Sequence, residues 1–177
     1  MRWRPPHIVR SFAADRRGAA AVEFGLVALP FTLLVFAIVE LGLVFMASTT
    51  LHNALDAASR RVRTGEVQSA GQSAAAFKAS VCEEMTWLSS RCDDLYLDVR
   101  TYASFAGMTP TNPVVDGDID PEAMSFQPGG GGAIVLVRGY FRWRLITPLL
   151  NESLINLAGG QRMIMAGSAF RNEPFPW

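Results

Sequence analysis

The chain is poor in the residues on which catalysis and metal binding usually rest. Its 177 residues include two cysteines, Cys82 and Cys92, and two histidines, His7 and His52. A C-x9-C pair without a neighbouring histidine is a poor metal site. No Gly-x-Ser-x-Gly or His-Glu-x-x-His pattern occurs, so the familiar nucleophile and zinc arrangements are missing. The run Gly129 to Gly132 is followed by neither Lys-Ser nor Lys-Thr, and a strand pattern comes next, which excludes a phosphate loop. Asp116-x-Asp118-x-Asp120 opens like a calcium loop. An EF-hand would need glycine and glutamate where this chain has Pro121 and Gln127. The segment therefore reads as a solvated acidic loop, with an irregular calcium loop as the alternative. These gaps predict a protein without catalysis, cofactor or metal.

Net charge is also absent, because 16 basic and 16 acidic residues cancel. The cancellation hides a split. Residues 1–18 hold five arginines and one aspartate, a net of +4, and the remainder carries −4. Residues 24–39 (FGLVALPFTLLVFAIV) carry no charge, and the apolar run resumes over 41–47 after Glu40. About 20 apolar residues at 1.5 Å each cover the roughly 30 Å hydrocarbon core. A cleavable secretory signal has a shorter apolar region, and Phe45-Met46-Ala47-Ser48 is a poor cut site. The segment reads as a retained single-pass anchor in the lipid bilayer. The basic leader before it predicts a cytoplasmic N-terminus and an exported C-terminal part; Arg60, Arg61 and Arg63 beyond the span argue more weakly the other way. Export permits a disulfide between Cys82 and Cys92. Nucleic acid is not expected as a partner of an exported, net-negative domain.

Three regions follow. Residues 1–18, with Pro5-Pro6 and scattered arginines, predict an irregular cytoplasmic leader. Residues 19–65 predict one long helix, kinked at Pro30 and amphipathic after Ala47, with Gly65 just past its end. Residues 66–177 predict an exported α+β domain. A second helix is expected over 69–85, with Ala75, Phe77, Val81 and Met85 in its core. Strands are expected over 94–105, 133–145 and 161–171, and a short helix over 148–158. Residues 106–132 read as a long loop ending in a glycine hinge. The simplest packing is a small antiparallel sheet covering the helices.

One element carries a sharper reading. Gly18-Ala19-Ala20-Ala21-Val22-Glu23-Phe24 joins the basic leader to the apolar run. In the plain reading it is an anchor whose glutamate falls at the headgroup level. In the sharper one it is a prepilin-type cut between Gly18 and Ala19. Glycine on the leader side lets the backbone enter a peptidase extended. The new Ala19 amine, with a pKa near 8, then lies one helical turn from Glu23. Glu23 pairs with that amine in its own subunit or in a neighbour, favouring one assembled register.

This element and the apolar run to Ala47 resemble the TadE-like family, minor pseudopilins of tight-adherence (Tad/Flp) pilus systems. The amphipathic continuation Leu51 to Arg60 resembles it too. So, more diffusely, do Cys82 and Cys92, Leu95 to Arg100, Leu145 to Leu150, and Phe170 to Phe175. The resemblance is specific over about residues 16–60. It implies cutting by a prepilin peptidase at Gly18 and Ala19, with Glu23 and Phe24 as the processing and assembly residues. It also implies a role in pilus assembly or initiation without catalysis. The implied partners are other pseudopilins, the major Flp-type pilin and an inner-membrane assembly platform. The major pilin itself is far smaller, and no Asp-x-Ser-x-Ser adhesion pattern is present. The rival expectation is an anchored exported binding domain with no pilus role.

Two features stay open in the sequence. Glu40 is expected to be hydrated at the outer interface, with pairing inside the membrane or between subunits as the alternative. Arg138, Arg142 and Arg144 share one face of their strand, expected to be a solvated basic face or a docking face for an acidic partner.

Overall fold

A computed structural model describes residues 16–147 and 154–175. It divides into two compact units, Met1–Val39 and Glu40–Trp177. In the first, the described chain is helical. Helix α1 runs from Arg16 to Arg63 and contains Pro30. It takes in Arg16, Arg17 and Gly18, expected to be irregular. Arginine is a good helix former, and one glycine near an end costs only about 1 kcal/mol. Residues 1–15, the rest of the expected leader, lie outside the described residues. From Val22 to Val39 the helix shows apolar side chains on all sides, among them Phe24, Leu29, Phe31 and Phe36.

The second unit begins with residues 40–63 of α1. The amphipathic spacing places Ala47, Leu51, Ala54, Leu55, Ala58 and Val62 on one buried stripe. Gly65, at φ 83°, ends the helix, and a Cβ there would lie 2.7 Å from the Phe175 ring. Helix α2 (Glu66–Ser69) is a single turn. Helix α3 (Ala74–Glu84) is capped by Ser73, whose side chain accepts the Ala76 N–H. It buries Phe77 and Val81, and Met85 follows them into the core, whereas Ala75 is exposed, contrary to expectation. A 3-10 segment, Thr86–Asp94, leads into the sheet. The Cys82–Cys92 disulfide ties it to α3, with Cα atoms 5.9 Å apart.

Strands β1 (Leu95–Tyr102), β4 (Ile134–Arg144) and β5 (Gln161–Arg171) form an antiparallel sheet in the order β1-β4-β5. The long helix followed by this sheet makes the fold α+β, as expected. On one sheet face Val135, Val137, Phe141 and Trp143 join the helical stripe in a single core. Gly139 sits in that row with no side chain. A Cβ there would lie 3.2 Å from Leu55 Cδ1 and 3.4 Å from Leu51 Cδ1, so α1 needs this gap to approach the sheet.

The other sheet face differs from expectation. The stretch from residue 106 to residue 132 is not a plain loop. It forms a hairpin of β2 (Val114–Val115) and β3 (Asp118–Ile119), then a 3-10 turn, Pro121–Ala123. Asp116 and Gly117, at φ 50° and 80°, make the two-residue turn, the geometry that Asp-Gly favours. The hairpin lies over the sheet, and Ile119, Tyr140 and Leu157 form a second core beneath it. Residues 125–127 cover the outer edge of β1, where the Val99 N–H donates to Ser125 O and Val99 O accepts from the Gln127 N–H. Gly129 to Gly132 is not a hinge either. The Asn172 amide donates to Pro128 O and Gly130 O, and the Gly132 N–H donates to Asn172 O. Of the short helix expected over 148–158, residues 148–153 lie outside the described residues, and Leu157 forms a bridge with Gln161.

Candidate functional site

Gly18 and Ala19 lie at the start of the described part of α1. No atom comes within 4 Å of a Cβ built on Gly18. Glu23 is exposed one turn beyond Ala19, and Phe24 beside it is 74% exposed. The four residues therefore form one accessible helical element at the head of an apolar stretch. Cys82 and Cys92 belong to the second unit, and their bond is internal to it.

Glu40 overturns the expectation of a hydrated carboxylate. It is 2% exposed, on the same stripe that continues through Val44, Ala47 and Leu51. Its oxygens accept the backbone N–H groups of Ile146 at 2.5 Å and Thr147 at 2.7 Å. Those groups lie just past the end of β4, where the ladder no longer supplies an acceptor. A carboxylate accepting two N–H bonds is held by charge-assisted hydrogen bonds, about twice as strong as neutral ones. It thus fastens the β4 exit to a fixed residue of α1. Neither Ile146 nor Thr147 announces this in the sequence. The available signal is that Glu40 falls in phase with the later apolar stripe.

The arginine row on β4 is likewise not a solvated face. Arg138 is buried under the hairpin and pairs with Asp98, its direct cross-strand neighbour, at 2.5 Å. Asp98 is equally buried and also holds Arg100 at 2.8 Å and the Ser125 N–H at 2.9 Å. The hydrogen-bonded Asp98 carboxylate raises the Arg100 pKa further above its ordinary value. Arg142 reaches Asp118 of the hairpin at 2.8 Å, and Arg144 is exposed at the strand end. Tyr140 lies between these arginines, fully buried, and burial pushes its pKa up to about 12. The acidic segment is therefore used internally: Asp118 pairs with Arg142, and Asp120 caps the 3-10 turn through the Glu122 N–H. The opposed charges of Asp98 and Arg138 become visible only once the strand register is known.

At the Glu40 end of the second unit, Leu43, Trp87, Arg91, Trp143 and Ile146 line an open groove of about 720 Å³. Trp87 and Trp143 meet edge to face at 6.2 Å, and Arg91 stacks over Trp143 at 5.4 Å. The Trp87 indole N–H donates to Thr50 Oγ1. No group of side chains suited to hold a metal ion occurs among the described residues.

No curated protein and no solved structure matches the chain. The stretch carrying Gly18, Ala19, Glu23, Phe24 and Glu40 is similar to the family described as TadE-like protein, whose model matches residues 18–60.

Proposed function

We propose that this chain is a minor pseudopilin, cut by a prepilin peptidase between Gly18 and Ala19, that acts in assembly or initiation of a Tad/Flp-type adhesive pilus. The reading rests on one observation. The family match begins at Gly18, at the head of a helix whose first stretch exposes apolar side chains all round. A helix of that kind suits lipid, and it suits lateral packing among other such helices. The chain would sit in the inner membrane with its N-terminus cytoplasmic and its sheet domain outside, and it performs no catalysis itself. Its partners are the peptidase, other pseudopilins, the major Flp-type pilin and the assembly platform.

Cutting requires α1 to unwind around Gly18 into the peptidase, and glycine, a poor helix former, lowers the cost. The released Ala19 amine then lies one turn from Glu23. Pairing between them, within or between subunits, removes a lone carboxylate from an apolar bundle and selects a register.

N-terminal sequencing of the protein purified from membranes tests this directly. Ala19 as the first residue is expected, and Gly18→Leu should abolish the mobility shift and pilus formation. An intact leader would instead favour an anchored exported binding domain with no pilus role.

A further inference from the structure

We propose that the rim of the sheet domain beside Glu40, formed by Arg144 and Ile146, seats in the headgroup layer of the bilayer. This rests on the reading that α1 crosses a membrane. The helix is long and apolar enough for that by length and composition.

Glu40 supplies the depth marker. It follows 16 uncharged residues, 24–39, which rise about 24 Å against a hydrocarbon core of about 30 Å. The core boundary then falls within about one turn of Glu40. The backbone of Ile146 and Thr147 is bonded to the Glu40 carboxylate, so the β4 exit is held at that level. At this exit the domain is apolar on its outside. Ile146 is 73% exposed. On α1 within the same unit, Leu41, Phe45 and Met46 are exposed as well. An isoleucine left so open is costly in water and favourable at a membrane surface.

The charged group fits the same setting. The exposed Arg144 makes no ion pair among the described residues, and a guanidinium recognises phosphate by two parallel hydrogen bonds. Apolar and cationic side chains thus stand together at the depth where acyl chains give way to phosphates.

The test uses the full-length chain in nanodiscs of mixed zwitterionic and anionic phospholipid. A nitroxide is attached at Ile146→Cys; the disulfide keeps Cys82 and Cys92 from competing for the label. Parallel labels go on Phe36→Cys in the apolar run and Ala70→Cys on an exposed helix cap. Collisions with oxygen report lipid, and collisions with a water-soluble nickel chelate report water. The expected result ranks the oxygen-to-nickel ratio Phe36→Cys above Ile146→Cys above Ala70→Cys. If the Ile146→Cys label matches Ala70→Cys while Phe36→Cys lies in lipid, the seating is wrong and the span stands. If all three labels lie in water, the span falls and the seating with it. If both agents are excluded from the Ile146→Cys label, a protein covers the rim and the proposal is overturned.

Discussion

Helix α1 presents two stretches of apolar sequence with opposite fates. From Val22 to Val39 its large side chains are open, Phe24 at 74% exposure and Leu29 at 65%. From Ala47 to Val62 the apolar side chains of the buried stripe are at most 1% exposed. The two stretches differ in pattern more than in apolarity. In the first, apolar residues occupy every side, so no single face of a small domain could cover them. In the second they recur at three and four residues, and the sheet, α3 and the residues beside it cover them in one core. The first stretch stays uncovered by the described residues, whereas the second serves this chain's own core. The same division separates the glutamates: Glu23 is exposed in the first stretch, and Glu40 opens the covered stripe of the second.

Truncating equal side chains in the two stretches should break this comparison most visibly if it is wrong. Leu51 is fully buried and packs against the Gly139 gap, so Leu51→Ala should destabilise the sheet domain by about 2–5 kcal/mol. Leu34, 57% exposed, has no such packing, and Leu34→Ala should leave domain unfolding unchanged. Thermal unfolding in detergent, followed by near-ultraviolet circular dichroism, measures both. Equal losses would mean that the first stretch is also part of the folded core.

The glutamates sharpen the contrast at a smaller scale. Glu40→Ala strands the Ile146 and Thr147 N–H groups, at a cost of about 1–3 kcal/mol. Glu40→Gln retains an acceptor oxygen for one of them and should fall between wild type and alanine in the same unfolding assay. Glu23→Ala should leave domain stability unchanged, and under the proposed function it should impair pilus assembly. A Glu40→Ala protein with wild-type stability would show that its carboxylate does not fasten the β4 exit.

Much of this was legible in the sequence where pattern is local. The charge-free run 24–39, the stripe from Leu51 to Val62 and the alternation of β4 depend on neighbours along the chain, and each emerged as expected. The partners of Glu40 lie more than 100 residues away, and backbone N–H groups leave no mark on sequence. The even-numbered face of β4 was misread for a related reason. Arginines at alternate positions signal water unless a carboxylate and a cover are known, and both come from other segments, Asp98 on β1 and the hairpin at residues 114–119. Asp116-Gly117 between short β-branched runs was a turn signal that could have revealed the cover. The Gly18 to Phe24 element stands out in the sequence because its parts adjoin, and its proposed role is read from that pattern alone.

The smallest expected effect tests the covered unit by titration. Between Val22 and Val39 the only ionisable side chain is Glu23, so an alkaline change in unfolding reports on the sheet domain alone. Tyr140 is fully buried, and its hydroxyl makes no hydrogen bond with a described residue. Tyr140→Phe therefore loses no bond and keeps an aromatic ring beneath the Arg138 guanidinium, so stability at neutral pH should change by less than about 0.5 kcal/mol. In alkali the proteins should diverge. The folded-state pKa of about 12 exceeds the unfolded value of about 10, so the fold favours the neutral phenol. That contribution is fully present below pH 10 and is lost as pH rises toward 12, because the unfolded chain gives up its proton first. Tyr140→Phe should remove this part of the alkaline decline. Denaturant midpoints at pH 7, 10 and 11 measure the divergence. Parallel curves would show that Tyr140 ionises as freely in the folded domain as in the unfolded chain, and that the hairpin does not seal this face of the sheet.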